Sequence, residues 1–239
     1  MRRQRPRVIA IVPAAGSGSR LGGAVKKQFL QLHGKPIIVH TLQQFEHCAE
    51  VDEIAVAVPE PAITDMEQLV RRFRLHKVSK VVAGGAKRQD SVAHVLKTLD
   101  LKDTDILLVH DGVRPFVQRK KIVELIKACR EHRVAVLAVQ PKDTIRRSRG
   151  GGFFDQTLDR SALWMIQTPQ AFTAGILQKA FARAAKDRFY STDEAALTER
   201  LGIHAKIVEG TYDNIKITTR EDLELAGLIF ERWAKSDLI

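Results

Sequence analysis

A loop of small residues followed by cations is the part of this sequence best suited to chemistry. Residues 13–21 read Pro-Ala-Ala-Gly-Ser-Gly-Ser-Arg-Leu, and Lys26, Lys27 and Gln28 follow shortly after. Small residues let backbone N–H groups approach an anion closely, and cations offset its charge. Because the loop follows an apolar run at 8–12, typical of a buried parallel strand, it predicts a phosphate-binding loop at that strand's carboxyl end. A solvated basic loop would have the same composition.

The loop matches neither of two familiar phosphate-binding motifs. The dinucleotide fingerprint requires a third glycine where this chain has Leu21, and the P-loop requires Ser or Thr after Gly-Lys, where this chain has Pro36. What remains is a loop in which Arg20 and Lys27 are spaced to reach a polyphosphate from two directions.

Further polar residues follow later apolar runs. They are Gly84 to Ser91 after a predicted strand at 78–83, Asp111 and Arg114 after one at 106–109, Lys142 to Thr144 after one at 134–139, and Asp213 to Lys216 near the C-terminus. Open α/β sheets bind ligands at the carboxyl ends of their strands, so one pocket would collect several cations and one or two carboxylates. Such a pocket suits phosphoryl or nucleotidyl transfer, since a carboxylate can hold Mg²⁺ while Arg and Lys stabilise charge on phosphate oxygens.

Each of these residues also has a purely structural interpretation. Asp111 could cap a helix or turn, Arg114 could form a salt bridge within a loop, and Ser91 could be an ordinary residue of a helix N-terminus. Lys216 could be a solubilising charge at a strand edge. Their joint placement at strand ends favours the functional interpretation.

The order of apolar runs predicts the scaffold. Strands are predicted at 8–12, 54–58, 78–83, 106–109, 134–139, 162–167, 205–208 and 215–218, and helices at 36–48, 62–75, 91–99, 119–131, 173–186, 193–201 and 221–233. This alternation predicts an α/β fold with a single Rossmann-like, mostly parallel sheet and helices on both faces. The polar segment 141–160, which contains Gly150-Gly151-Gly152, interrupts it and predicts either a projecting hairpin or a disordered surface loop.

The amino-acid composition limits the kinds of molecule that the protein is expected to bind. The chain has 239 residues, 44% of them hydrophobic, so we expect residues 1–239 to form one domain. The net charge of +11 suits anionic ligands, whereas 6% aromatic residues argue against the stacking platforms of a nucleic-acid-binding module. Cys48 and Cys129 are too few for a disulfide framework, and no apolar run approaches the roughly 20 residues of a membrane span. We therefore expect a cytoplasmic protein without nucleic-acid or membrane partners.

Taken together, the motifs resemble those of the 2-C-methyl-D-erythritol 4-phosphate cytidylyltransferases of the non-mevalonate isoprenoid pathway. The resemblance runs along nearly the whole chain. The matching segments are Pro13 to Arg20, Lys27-Gln28, Gly84 to Ser91, Val109 to Pro115, Asp143-Thr144, Asp159-Arg160, Gln167 to Gln170, Thr192 to Glu194 and Asp213 to Lys216. The family usually has proline where this chain has Lys26, and often aspartate where it has Ala86.

The resemblance implies transfer of CMP from CTP to 2-C-methyl-D-erythritol 4-phosphate, with pyrophosphate released and Mg²⁺ or another divalent cation as cofactor. It implies catalytic roles for Arg20, Lys27, Arg160 and Lys216, and metal binding by Asp111. The implied nucleotide-binding residues are Ala14, Ala15, Gly16, Gly85, Ala86 and Ser91, and the implied polyol-phosphate contacts are Arg114, Thr144, Thr168 and Thr192, with Lys216 facing the same substrate. In the family the segment at about 141–160 is an arm that reaches the partner subunit's site, which implies a homodimer.

Four other functions remain as alternatives to this interpretation. A ribitol 5-phosphate cytidylyltransferase shares the loop and much of the sequence, and sugar-1-phosphate nucleotidylyltransferases are more distant. The segments Thr192 to Ala195 and Val208 to Gly210 favour the methylerythritol enzymes over the ribitol enzymes. A nucleic-acid-binding module and a catalytically dead nucleotide sensor are alternatives outside the enzyme class; the presence of Arg20, Lys27 and Asp111 argues against the sensor.

Overall fold

A seven-stranded sheet forms the centre of the protein in this computed structural model, which describes residues 5–16 and 27–236. Arg20, predicted to be catalytic, and Lys26, which replaces the family's proline, lie outside the described residues. The strands are β1 (Val8–Pro13), β2 (Gln31–Leu32), β3 (Lys35–Pro36), β4 (Glu53–Val58), β5 (Val78–Ala83), β6 (Ile106–Val109), β7 (Val134–Val139), β8 (Arg146–Gly150), β9 (Phe153–Thr157), β10 (Met165–Thr173) and β11 (Lys206–Glu209). The helices are α1 (Ile37–Glu46), α2 (Ile63–Arg72), α3 (Arg88–Thr98), α4 (Arg119–His132), α5 (Ala174–Lys186), α6 (Ala195–Glu199) and α7 (Arg220–Ala234).

The sheet is mostly parallel, as the sequence predicts. Its strand order is β11-β7-β10-β6-β1-β4-β5. β1 pairs in parallel with β4 and β6, β4 with β5, and β7 with β11, whereas β10 is antiparallel to both β6 and β7. Because β6 and β7 both oppose β10, they run in the same direction as each other. The carboxyl ends of β1, β5 and β6 therefore meet at one edge of the sheet, where the predicted site residues follow them.

Helices cover both faces of the sheet because its interior strand β1 is apolar on both sides. Val8, Ala10 and Val12 of β1 pack in a core with α1, α2 and α4, while Ile9 and Ile11 pack in a second core with α3 and α5. All five side chains are fully buried. Burial of a Val or Ile side chain contributes about 1.5–3 kcal/mol, so β1 anchors both layers.

A third core holds the C-terminal helix α7 against the loop that follows β6. Ile229 and Trp233 of α7 pack there with Phe116, Val113 and Ile217. The start of α7 is capped, since the Asp222 amide donates to Thr219 Oγ1 at 3.2 Å. This packing fixes the segment just before α7, which carries Lys216.

Some predicted element bounds were wrong. No strand forms at 215–218, because the Ile217 amide donates to the Val113 carbonyl at 3.0 Å, away from the sheet. The strand predicted at 162–167 is instead β10, which begins at Met165 and ends at Thr173. Helix α3 begins at Arg88 rather than at Ser91.

The segment at 141–160 contains the expected hairpin. β8 and β9 pair with each other in a separate two-stranded sheet. Phe153 and Phe154 on β9 are 77% and 69% exposed. Within the part of the chain that the structure describes, no helix is long and apolar enough to cross a membrane.

Candidate active site

Two cavities meet at the carboxyl ends of the strands. The first, about 160 Å³, lies between the turn after β1 and the turn after β5, and Lys27, Asp111 and Lys216 also line it. The second, about 180 Å³, lies beside it under β10. Arg88, Asp111 and Lys216 line both cavities and so form a shared wall.

The first cavity contains the residues predicted to bind a nucleotide. The described lining residues include Ala14, Ala15, Gly16, Gly85, Ala86 and Ser91. The turn after β5 lies close to the turn after β1, since a Cβ added at Gly84 would lie 2.2 Å from Ala15 Cβ. Only glycine at position 84 permits this approach.

Ser91 shapes the same turn from within α3. Its hydroxyl accepts a hydrogen bond from the Gly85 amide at 3.1 Å and donates to the Lys87 carbonyl at 3.2 Å. Ser91 is buried, so these bonds fix the backbone that borders the cavity. Ser91 therefore has a structural role in this turn, and direct binding of a nucleotide by Ser91 stays a prediction.

Lys27 enters the first cavity from a short 3₁₀ turn, Lys27–Phe29. The next residue, Gln28, is buried and its Nε2 donates to the Ala14 carbonyl at 2.6 Å. This bond ties the turn to the end of β1. Lys27 is thereby placed beside the backbone that the sequence predicts to bind phosphate.

Asp111 lies at the centre of the shared wall and is surrounded by cations. Arg88 Nε donates to its Oδ1 at 2.7 Å, and Lys216 Nζ and Arg114 Nε lie 2.9 and 3.5 Å from its Oδ2. Burial would raise the pKa of Asp111, but the charges of Arg88, Lys216 and Arg114 hold this pKa well below its ordinary value. The carboxylate is therefore ionised at neutral pH and pairs with cations rather than capping a turn.

The backbone of Asp111 is fixed by a second group of residues. Its amide donates to Thr168 Oγ1 at 3.0 Å, and Thr168 Oγ1 lies 3.0 Å from His110 Nδ1. His110 Nε2 lies 3.0 Å from the Arg114 carbonyl, which can only accept, so Nε2 carries the proton and Nδ1 accepts from the Thr168 hydroxyl. Burial lowers the pKa of His110 to about 4, which keeps the ring neutral. The Thr168 hydroxyl therefore accepts one hydrogen bond and donates another within the protein.

The second cavity contains four of the residues predicted to face the polyol phosphate. Arg114, Thr168, Thr192 and Lys216 all line it. Arg114 is held in place because its Nη1 donates to the Asn214 carbonyl at 2.7 Å. The structural reading of Lys216 as a strand-edge charge is wrong, since no strand forms there and its ammonium pairs with Asp111.

Thr144 and Arg160 do not join this group within one chain. Both are exposed beside the hairpin, and neither lines either cavity. Arg160 Nη1 donates to the Lys142 carbonyl at 2.6 Å, so it is held at the base of the hairpin. Their roles toward a substrate stay predictions.

The pairing of Arg88 with Glu194 was not anticipated. Arg88 Nη1 donates to the two carboxylate oxygens of Glu194 at 2.6 and 2.7 Å, and Glu194 is only 1% exposed. Arg88 lies in the motif Gly84 to Ser91 and Glu194 in the motif Thr192 to Glu194, but the sequence around each residue predicts no role for it. The two carboxylates raise the pKa of Arg88 against the opposing effect of burial.

The described residues fit a metal only when a substrate supplies further ligands. No group of three or more His, Cys, Asp or Glu side chains capable of holding a metal ion occurs in residues 5–16 and 27–236. Asp111 is the one carboxylate among the described residues that line the first cavity. Mg²⁺ commonly binds one or two carboxylates together with substrate phosphates, so Asp111 suits a Mg²⁺ ion carried by a triphosphate.

A larger cavity, about 710 Å³, lies between α3 and α5 and is lined mostly by apolar side chains such as Leu96, Phe181 and Phe189. None of the predicted site residues lines it. The cations that could stabilise charge on phosphate oxygens line the two smaller cavities instead.

The sheet and its paired cavities define an α/β nucleotidyltransferase. The family model described as 2-C-methyl-D-erythritol 4-phosphate cytidylyltransferase matches residues 8–232. The chain is 43% identical over 229 residues to the protein of that name from Syntrophus aciditrophicus, covering 95% of this chain and 97% of the relative. It is 44% identical over 220 residues to the one from Geobacillus kaustophilus, covering 92% and 95%. The chain belongs to the 2-C-methyl-D-erythritol 4-phosphate cytidylyltransferase family.

A solved structure of similar sequence has the same fold. The crystal structure of the 4-diphosphocytidyl-2C-methyl-D-erythritol synthase from Anaerococcus prevotii superposes with a TM-score of 0.83 at 29% identity, covering 95% of this chain and 96% of that one. The predicted fold class and the assignment to the cytidylyltransferases are confirmed, and a ribitol 5-phosphate cytidylyltransferase is not favoured.

Proposed function

We propose that this chain transfers the CMP group of CTP to 2-C-methyl-D-erythritol 4-phosphate and releases pyrophosphate. The observation that carries the proposal is the wall of Arg88, Asp111 and Lys216 shared by two cavities. One cavity suits the triphosphate and the other suits the polyol phosphate. Two anionic substrates bound on either side of this wall would bring the attacking phosphate oxygen close to the α-phosphorus, which is the main requirement of in-line transfer.

The step conserves atoms and charge without a covalent enzyme intermediate. A phosphate oxygen of the polyol phosphate attacks the α-phosphorus of CTP, and the bond from that phosphorus to the oxygen bridging to the β-phosphate breaks. Pyrophosphate leaves with the electron pair. Lys27 in the first cavity and Lys216 in the shared wall would stabilise negative charge on these oxygens. The family resemblance implies the same role for Arg20.

Asp111 would hold a divalent cation bound to the triphosphate. When bound, this cation would neutralise part of the phosphate charge that the two substrates bring together. The chain's own contribution is to orient Asp111, through its amide bond to Thr168 and its ion pair with Arg88. Arg114 and Thr192 in the second cavity would bind and orient the polyol phosphate.

The hairpin would complete the site from a second subunit. Phe153 and Phe154 are 77% and 69% exposed on β9, and clustered apolar surface commonly marks a protein interface. Thr144 and Arg160 flank this hairpin, outside the cavities of their own chain. A homodimer in which each hairpin packs on the partner would carry both side chains to the partner's polyol-phosphate cavity.

Pyrophosphate release tests the proposal. The purified protein is assayed with CTP, UTP, ATP and GTP, each against 2-C-methyl-D-erythritol 4-phosphate and ribitol 5-phosphate. We expect release with CTP and the methylerythritol substrate, and a product with the mass of the CDP-alcohol. Equal release with ribitol 5-phosphate, or no preference for CTP, would refute the assignment of substrates.

A further inference from the structure

Arg88 connects two carboxylates that belong to different parts of the site. Its Nε donates to Asp111 Oδ1 at 2.7 Å, and its Nη1 donates to both oxygens of Glu194 at 2.6 and 2.7 Å. Asp111 and Glu194 are 5% and 1% exposed. One guanidinium charge is therefore shared between two buried anions, and the strength of each pair depends on the other.

Glu194 is held firmly enough to set this balance. Its amide and the amide of Ala195 both donate to Gln170 Oε1, at 3.1 and 3.0 Å. Gln170 is fully buried, as part of the interior strand β10. Glu194 also lies two residues after Thr192, which lines the second cavity. The carboxylate that neutralises Arg88 is thus fixed to the sheet and adjacent to the polyol-phosphate cavity.

The arrangement is more than a buried ion pair that stabilises the fold. A buried pair in which each charge meets one partner satisfies both groups, whereas Arg88 is divided between two carboxylates. Its Nη2 is buried and has no hydrogen-bond partner among the described residues. Arg88 lines both cavities, so its position affects the wall across which the substrates would react.

We propose that Arg88 is a positioning residue that orients the Asp111 carboxylate, and that Glu194 limits how strongly Arg88 competes with a metal ion for that carboxylate. The inference rests on the proposed metal-binding role of Asp111. Without the charge of Glu194, the whole guanidinium charge would act on Asp111. The carboxylate would then bind a divalent cation less tightly, although neither Arg88 nor Glu194 touches the cation.

A double-mutant cycle tests this coupling. The variants are Glu194→Gln, Arg88→Gln and the double variant, and the readout is Mn²⁺ binding to the enzyme with CTP present, measured by electron paramagnetic resonance. We expect Glu194→Gln to weaken Mn²⁺ binding about tenfold, the size of effect typical of residues that orient a metal ligand. In the Arg88→Gln background the same substitution should change Mn²⁺ affinity by less than about twofold. An equal loss in both backgrounds, or no loss in either, overturns the proposal.

Controls separate positioning from folding and from the reaction itself. Arg200→Gln removes a surface arginine pair at the end of α6, with Asp187 at 2.6 Å, and should leave Mn²⁺ affinity unchanged. Thermal unfolding reports the stability of every variant. If Glu194→Gln does not fold, two other variants replace it. Glu194→Asp retains the negative charge, and Arg88→Lys retains the positive charge but lacks the planar guanidinium that pairs with both carboxylates. Arg88→Lys should then weaken Mn²⁺ binding more than Glu194→Asp does, and equal affinities overturn the proposal.

The outcome is independent of the substrate assignment. Pyrophosphate release by the wild-type protein tests the proposed function. Mn²⁺ affinity in the presence of CTP alone tests the role of Arg88 and Glu194. A wild-type protein that forms product but binds no Mn²⁺ with CTP refutes this inference and leaves the proposed transfer standing.

Discussion

The substitution Thr168→Val tests whether the Thr168 hydroxyl positions Asp111 or binds substrate. Thr168 is 5% exposed, and its Oγ1 accepts from the Asp111 amide and donates to His110 Nδ1, both at 3.0 Å. Valine has nearly the same volume but leaves one buried donor and one buried acceptor without partners. Each such group costs about 1–3 kcal/mol, so the free energy of unfolding should fall by about 2–6 kcal/mol. Urea unfolding measures this difference.

The kinetic consequence of Thr168→Val should appear in kcat rather than in KM. Loss of the hydroxyl releases the backbone of Asp111, and a displacement of about 1 Å in a catalytic group can reduce a rate about 100-fold. We expect kcat to fall about 10- to 100-fold, with the KM for 2-C-methyl-D-erythritol 4-phosphate changed by less than about threefold. Thr168→Ser keeps both hydrogen bonds and should recover most of the rate.

The opposite result would identify Thr168 as a substrate ligand. A valine variant that keeps its stability and its kcat, but whose KM for the polyol phosphate rises about tenfold, has lost a contact made equally in the ground and transition states. That outcome would refute the positioning argument and support the contact implied by the family resemblance.

Three further predictions concern Lys27, the sharing of sites between subunits, and His110. Lys27→Ala should lower kcat about 100- to 1000-fold with little change in the thermal midpoint, because a cation on the transferring phosphates is lost; wild-type turnover would contradict the role of Lys27. A mixture of Arg160→Ala and Arg20→Ala chains should recover up to about a quarter of wild-type activity if each site takes Arg160 from the partner, and no recovery despite subunit exchange would exclude a shared site. Burial lowers the pKa of His110 from its ordinary 6.5 to about 4, so the unfolded chain binds this proton first as the pH falls. In the protein without metal or nucleotide, the free energy of unfolding should therefore fall by about 3 kcal/mol between pH 6.5 and 4. The variant His110→Asn should not show this decrease, whereas the control variant His47→Asn, at an exposed histidine, should still show it.

Strands whose burial is continuous were predictable from the sequence. β1, β6 and β7 are uninterrupted apolar runs, and their predicted bounds agree with the structure to within one residue. β10 was not predictable in the same way, because polar residues and Pro169 occupy its middle. Its pairing with β7 shifts register between Ile166 and Gln170, so the proline lies where the regular ladder is already interrupted.

The strand predicted at 215–218 was wrong because its evidence was only the alternation of apolar and polar residues. Ile215, Lys216, Ile217 and Thr218 alternate apolar and polar residues, which is typical of a half-buried strand. In the structure the same alternation has two unrelated causes. Ile217 packs in the core beneath α7, while Lys216 pairs with Asp111. A segment whose alternate residues contact a helix and a polar site can therefore show the sequence pattern of a strand.

The candidate site was predictable where it depends on strand ends and unpredictable where it depends on distant partners. Asp111 follows from the rule that ligands bind at the carboxyl ends of parallel strands. Lys216 lies in a segment that forms no strand, so its place in the site was implied by the family resemblance rather than by that rule. The pair formed by Arg88 and Glu194 joins residues 106 positions apart, and no local pattern around either residue identifies the other. Only the folded arrangement of α3 against the segment before α6 reveals it.

The charges around Asp111 explain why an acidic residue occupies a site for two anionic substrates. Arg88, Lys216 and Arg114 all lie within 3.5 Å of its carboxylate oxygens. Without this carboxylate the cations would repel one another, by on the order of 1–4 kcal/mol for each close pair. Asp111 offsets that repulsion and holds the cations together before any phosphate arrives. Bound phosphates would then neutralise the same cations and release the carboxylate to bind a divalent ion, so the arrangement of the cations and the binding of the metal would both depend on Asp111.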